Sequence, residues 1–435
     1  VADETHRAIE AVFRIQRARL IAGLARLTRD VGRAEDLAQD ALVIALAEWP
    51  QSGVPRNPGA WLMAAARRRA LDALRHVRMR DRKHAAILRE SQEADDGHAA
   101  LEAALDDELG DELLGLIFAA CHPLLSREAR VALTLRLLGG LTTEEIARAF
   151  LTPEATIQQR IVRAKRTLGG AGLRFEVPRG AARAERLGSV LEVIYLVFNE
   201  GYAATAGEDL IRPALCAEAQ RLGRILAGLL PEEPEVLGLL ALMELQASRF
   251  AARTRRDGSL VPVPEQDRSR WDRLLIRRGL DALARAEALG GARGPYVLQA
   301  ALAACHARVP RAEATDWPRI AALYDRLLEV MTTPVVALNR AVAHSMAFGP
   351  QQGLALLAQI EDLPAMQGYA PLPAAKGDFL LRAGRVAEAR ACFERAATLT
   401  RNEREREFLT ERAAACERAD VDGKCDPGPA TKSYI

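Results

Sequence analysis

Residues 141–168 read LTTEEIARAFLTPEATIQQRIVRAKRTL, two short amphipathic segments joined by a tight break. Thr142 or Thr143 can cap the first segment, with Glu144 and Glu145 in its opening turn, where the helix dipole favours carboxylates. The second segment starts at Pro153, and Thr152 before it is the expected N-cap. On a 3.6-residue wheel Ile157, Ile161, Ala164 and Leu168 share one face and should pack inward. Gln159, Arg163 and Arg166 lie opposite, flanked by Thr156, Gln158, Arg160 and Lys165. This is the outline of a helix-turn-helix. Its donor-rich face suits phosphates and base edges of a major groove, or is the solvated side of an ordinary helical hairpin.

The rest of the chain is read around that segment. Its 435 residues allow two to four domains. With 49% hydrophobic, 27% charged and only 5% aromatic residues, and with Ala, Leu and Arg dominant, an all-α fold is expected. The net charge of +2 hides a strong polarity. Residues 56–89 carry Arg56, Arg67, Arg68, Arg69, Arg75, Arg78, Arg80, Arg82, Lys83 and Arg89 against Asp72 and Asp81, whereas residues 90–112 carry carboxylates and no Lys or Arg. The six cysteines form no CxxC pair, and the doublets Cys121–His122 and Cys305–His306 diverge by 100° on a helix. Buried thiols are expected, with no metal, cofactor or catalytic site. The lack of a signal peptide or long apolar run predicts a soluble, cytoplasmic protein with no membrane partner.

Two further segments have a pattern. Residues 34–49, AEDLAQDALVIALAEW, place Leu37, Ala41 and Ile44 on one apolar stripe and Leu42 and Leu46 on another, beside Glu35 and Gln39. A helix apolar on two sides is central in its domain or docks on a partner. After the loop WPQSGVPRNPG comes AWLMAAARRRALDALRHVRMR, with Leu62, Ala66, Ala73 and Val77 inward. Trp61, Arg68 and Arg75 recur every seven residues on another face, with Arg78 nearby. That strip suits a nucleic-acid strand, with Arg on phosphates and a ring on a base; it also fits a solvated basic face with a structural Trp.

The order of these motifs (AEDLAQDA, NPGAWL, the basic ARRRALDALR helix, an acidic linker, then EEIA and ATIQQRIVRAK) resembles the bacterial sigma factors of the extracytoplasmic-function (ECF) group, which keep only the sigma-2 and sigma-4 domains. The resemblance covers about residues 8–170. It implies a non-catalytic promoter-specificity subunit with core RNA polymerase (β′ clamp helices, β flap) and promoter DNA as partners. Asp36, Leu37, Gln39 and Asp40 are then core-polymerase contacts. Asn57 and Trp61, with Arg67, Arg68, Arg75 and Arg78, fall on the segments that read and hold the −10 element. Thr156, Gln158, Gln159, Arg160, Arg163 and Lys165 fall on the −35 recognition helix. The acidic linker would lie in the RNA path of the polymerase. Two departures stand out. Ala155-Thr156 replaces the Gly-Thr of many members, and Gln158-Gln159 stands where basic or small residues are common, so the −35 preference is expected to differ.

The implied organisation is sigma-2 at residues 1–90, a linker at 91–110, sigma-4 at 111–170, a tetratricopeptide-like (TPR-like) regulatory domain at 181–418 and a disordered tail at 419–435. The clearest repeat is AKGDFLLRAGRVAEARACFERAATL, where Gly377, Leu380, Ala389, Phe393 and Ala396 fall at helical-hairpin spacing. The C-terminal part looks like the extension of one ECF subgroup, and docking of that extension on the DNA-binding half is the expected control. Two other readings remain at this point. One is a different helix-turn-helix regulator with a TPR sensor, which leaves the AEDLAQDA and NPGAWL helices unused. The other is an enzyme using Asn199, Glu200, Tyr202 and Arg212.

Overall fold

The computed structural model describes residues 2–84, 101–150, 152–173, 175–202, 212–255, 261, 263–400 and 403–422. Among them the fold is all-α, as expected, and they divide into two compact units, Val1–Val197 and Phe198–Ile435. No described helix is long and apolar enough to cross a membrane.

The first unit begins with three helices, α1 (Ala2–Thr28), α2 (Val31–Ser52) and α3 (Pro58–His84). The α1–α2 break is made by Arg29, at φ 55°, and by Asp30, whose carboxylate caps α2 by accepting from the amides of Gly32 (2.7 Å) and Arg33 (3.0 Å). α2 buries Val31, Ala34, Leu37, Ala38, Ala41, Ala45 and Trp49. Four of these seven are alanines, so the backbones of α1 and α2 approach closely. α2 ends at Gly53, whose φ of 81° suits glycine. Asn57 Oδ1 accepts from the Ala60 amide (3.1 Å) and so caps α3, a role its place before Pro58 allows. Leu62 and Ala66 are buried as expected; the side chains of Ala73 and Val77 lie outside the described residues.

α4 (Leu101–Ala120) packs on α1 and is followed by α5 (Arg127–Leu137), α6 (Thr143–Ala149) and α7 (Glu154–Gly170). The second half of the acidic stretch expected to be linker is thus helical, because carboxylates near a helix start are stabilised by its dipole and the segment is rich in Leu and Ala. The first half lies outside the described residues. Thr142 forms a full capping box, its hydroxyl accepting from the Glu145 amide and the Glu145 carboxylate from the Thr142 amide. Thr152 does not cap α7. Its hydroxyl donates to the Phe150 carbonyl, and Pro153 occupies the cap position with no side-chain bond. Ile157, Ile161, Ala164 and Leu168 are all buried, as the wheel required.

α8 (Ala181–Tyr202) runs from this unit into the second, the boundary falling between Val197 and Phe198. The Ser189 hydroxyl donates to the Cys121 carbonyl (2.6 Å), Arg186 to the Phe118 carbonyl (3.0 Å), and Arg130 pairs with Glu192 (3.1 Å). Burial pushes the Cys121 thiol up to about 11, so it stays protonated and hydrogen-bonded to Thr134.

The second unit is a run of helices that pack mainly on their sequence neighbours, from α9 (Pro213–Leu229) and α10 (Pro234–Ala247) to α18 (Val386–Leu399) and α19 (Glu403–Asp422). Between them lie α11 (Arg273–Ala288), α12 (Pro295–Ala307), α13 (Trp317–Val330), α14 (Pro334–Phe348), α15 (Pro350–Leu357), α16 (Pro364–Gln367) and α17 (Pro371–Arg382). Proline opens many of them, where its missing N–H costs nothing. The hairpin of α17 and α18 forms as the spacing predicts. Gly377 lies under Phe393, and a β-carbon there would stand 3.0 Å from that ring. Residues 419–422, expected to be tail, continue α19; the remainder lies outside the described residues.

Thr142→Ala removes both bonds of the capping box and is expected to destabilise the first unit by about 1 kcal/mol, measured by urea unfolding followed through the helical circular dichroism signal.

Candidate nucleic-acid interface

α7 is held by its apolar face, which leaves the other side open. Gln158, Gln159, Arg163 and Arg166 are exposed, and Thr156 and Arg160 half-buried. An amide pair and two guanidiniums on one open strip can make bidentate contacts to base edges and hold phosphates. Lys165 differs. Its ammonium pairs with Oε2 of Glu35 on α2.

Glu35 is tightly held, with its side chain 3% exposed. Its Oε1 also accepts from Arg17 of α1 (2.6 Å) and from Arg136 of α5 (2.9 Å). Arg17 further donates to the Arg136 carbonyl (2.7 Å), and Arg136 to the Leu141 carbonyl (3.2 Å). Burial pushes the Glu35 carboxyl up, but Lys165, Arg136 and Arg17 together hold it below the usual carboxylate range. Burial lowers the Arg17 guanidinium, opposed by Glu35. The sequence reading put Glu35 beside Gln39 on an outer face and missed this cluster. The signal was the register, since residues 31, 35 and 38 share a face, and Val31 and Ala38 are core.

On the outer side of α2, Asp36, Gln39 and Asp40 are exposed together, with Val43 continuing the face at 64% exposure. Leu37 does not belong to that face. It is 6% exposed and packs inward with Ala34, Ala38 and Ala41, because its position falls on the buried stripe. Leu42, Ile44 and Leu46 are half-buried, so the apolar residue truly offered to a partner is Val43.

At the start of α3, Asn57 is exposed but its Oδ1 is engaged as the cap described above. Trp61 is half-buried and packs edge-on against Trp49, with centroids 5.2 Å apart at 66°. Arg67 is half-buried and Arg68 exposed. The side chains of Arg75 and Arg78 lie outside the described residues.

Three of the residues considered for catalysis, Glu200, Tyr202 and Arg212, are tied into structure. Glu200 pairs with Arg212 (2.7 Å), and the Arg249 guanidinium donates to the Tyr202 hydroxyl (2.6 Å). The Arg253 guanidinium stacks 3.7 Å above the Tyr202 ring. Asn199 is exposed.

Because the folded-state pKa of Glu35 is depressed, its stabilising effect is fully present above the ordinary carboxylate value of about 4.3 and is lost as pH falls through the lower folded value. Glu35→Gln is expected to destabilise the unit by about 3 kcal/mol between pH 5 and 8. That difference shrinks as pH drops below about 4, as measured by urea unfolding across the pH range.

Comparison with known proteins bears on these surfaces. Residues 13–80 match the family model of sigma-70 region 2, and residues 116–168 that of sigma-70, region 4. Residues 186–287 match a family of unknown function (DUF6596). The chain is 40% identical over 396 residues to an uncharacterized protein of Rhizobium meliloti (strain 1021), covering 90% of this chain and 92% of that protein. It is 32% identical over 139 residues to the ECF RNA polymerase sigma factor SigC of Mycobacterium tuberculosis (strain CDC 1551 / Oshkosh), covering 32% of this chain and 70% of that one. The probable RNA polymerase sigma-C factor of Mycobacterium bovis matches to the same extent. With both sigma-70 regions present in order and a sigma factor of this type matched over 70% of its length, the chain belongs to the RNA polymerase sigma factors of the extracytoplasmic-function type.

Proposed function

We propose that the chain directs promoter-specific initiation by binding core RNA polymerase through α2 and promoter DNA through α3 and α7. The observation that carries this reading is the coexistence in one unit of two open faces of different chemistry. One is the acidic face of α2, with Asp36, Gln39, Asp40 and Val43; the other is the cationic and amide face of α7. The first suits a protein partner with basic side chains, and the β′ clamp helices are the proposed occupant. Leu37 supports that face from behind instead of touching the partner.

The −10 element is assigned to the loop before α3 and to its first turns. Arg67 and Arg68 hold phosphates there, Trp61 is steadied by Trp49, and Arg75 and Arg78, which follow in the sequence, are assigned to the same element. Asn57 serves this region first as a cap, with its amide nitrogen left to reach a base. The −35 element is assigned to Thr156, Gln158, Gln159, Arg160 and Arg163, joined by Lys165 once it leaves Glu35. The β flap is the proposed seat of the α5–α7 domain. Chemistry of nucleotide addition belongs to the polymerase, and this chain contributes placement and strand capture. The second unit, a TPR-like array of paired helices, is proposed to tune that activity.

The test is direct. The purified chain with core polymerase is expected to start transcription from a defined genomic promoter in vitro, and no specific start with the chain present would overturn the reading. Gln159→Ala is expected to relax the base preference at one −35 position by about 1–3 kcal/mol of discrimination, read by binding to a panel of single-base variants. A chain ending at Tyr202 keeps α8 on its partners. Altered initiation by that chain supports control by the second unit, and identical output refutes it.

A further inference from the structure

The cluster at Glu35 joins residues that the proposed function must pull apart. Arg17 and Glu35 belong to α1 and α2, whereas Arg136 and Lys165 belong to α5 and α7. Promoter elements named −10 and −35 are about 25 base pairs apart, roughly 85 Å along a duplex at 3.4 Å per step. Helices joined side chain to side chain cannot address both at once. Lys165, moreover, spends its charge on a carboxylate while it should hold a phosphate. We infer that Glu35 is the latch of a closed state, in which the free chain withholds α7 from DNA, and that the latch opens when Lys165 exchanges Glu35 for a DNA phosphate. This inference rests on the reading of α7 as a DNA-binding helix.

The partners around Glu35 are arranged so that opening leaves the buried carboxylate paired. Arg17 lies on the same side of the junction as Glu35 and keeps it paired, 2.6 Å away. Arg136 keeps its bond to the Leu141 carbonyl within its own domain. Lys165 goes from one anion to another. A purely structural buried pair has no such provision, since separating it leaves a bare charge at large cost. Here three cations surround one carboxylate, so the junction carries surplus positive charge that a phosphate backbone attracts. Arg26 of α1 also pairs with Glu112 of α4 at 3.6 Å, a contact whose arginine side chain is 53% exposed and which adds little to the packing of α4 on α1.

The experiment measures binding of the full chain to a fluorescein-labelled 30-base-pair mixed-sequence duplex by anisotropy, without polymerase and over a range of salt. Phosphate contacts are independent of sequence, so no promoter needs to be known. Glu35→Gln is expected to bind about tenfold tighter at low salt, with a salt slope steeper by about one phosphate contact. Arg136→Gln loosens the latch without touching the Lys165 face. It should also bind tighter although it deletes a positive charge, the opposite of a general charge effect. Glu48→Gln removes a carboxylate elsewhere on α2 and should match the unaltered chain. Circular dichroism checks the fold of each, and if Glu35→Gln is unfolded Arg136→Gln decides alone. Native-like variants that bind no tighter than the unaltered chain overturn the latch. If neither the free variants nor the complex with core polymerase bind any duplex, the reading of α7 fails, and the latch with it.

Discussion

The carboxylate of Glu35 sits where four helices of the first unit meet, and its charge sets what the others can do. Removing a carboxylate from water costs several kcal/mol, and only excellent pairing returns it. Arg17, Arg136 and Lys165 supply that pairing from three helices. The pairing is possible because α2 buries alanines at 34, 38, 41 and 45. With larger side chains there, α1 would stand further off and Arg17 could not reach Oε1 at 2.6 Å while donating to the Arg136 carbonyl. Small residues on one face of α2 therefore determine the electrostatics at its N-terminal end.

The same economy shapes α7. Four apolar residues, Ile157, Ile161, Ala164 and Leu168, fix the helix to its domain, and that stripe is narrow enough to leave Gln158, Gln159, Arg163 and Arg166 in solvent. Lys165 follows Ala164 and so falls at the stripe's edge, where its long stem can reach across to another helix. A residue in that position can face the domain junction or an external anion, but not both. The helical period alone produces this choice.

Much of this was legible in the residues. The periodicity of residues 154–168 placed α7 and its buried face, Thr142 and Glu145 announced their capping box, and Gly377 with Phe393 announced the nested hairpin of the second unit. What could not be read was which acidic residue would be inside. Asp36 and Asp40 look in sequence much like Glu35, and a preference for charged groups outside is right in most cases. Only the backbone register distinguishes Glu35, and only the partners from distant helices, 18 to 130 residues away, stabilise it. Leu37 turns inward and is the converse case, since a motif match assigns a role to a position without asking which way the helix turns it. Asn57 was read for its amide, while the physical need at the head of a helix that starts with Pro58 was a cap.

A junction whose polar contacts converge on one carboxylate is suited to being reversed. Moving a two-state equilibrium from 1:99 to 99:1 takes about 5.5 kcal/mol of differential affinity. Breaking a buried pair outright costs a comparable amount, about 3–5 kcal/mol. Retention of Arg17 by Glu35 lowers that cost, and each phosphate gained by α7 contributes to offsetting it. The balance then depends on salt, because the phosphate contacts release counterions and weaken as ionic strength rises, whereas the buried contact is screened far less. Closed and open forms should therefore separate most clearly at low ionic strength. Asp36 follows Glu35 on the same helical turn, so the partner proposed to dock on that face would act next to the carboxylate that holds Lys165.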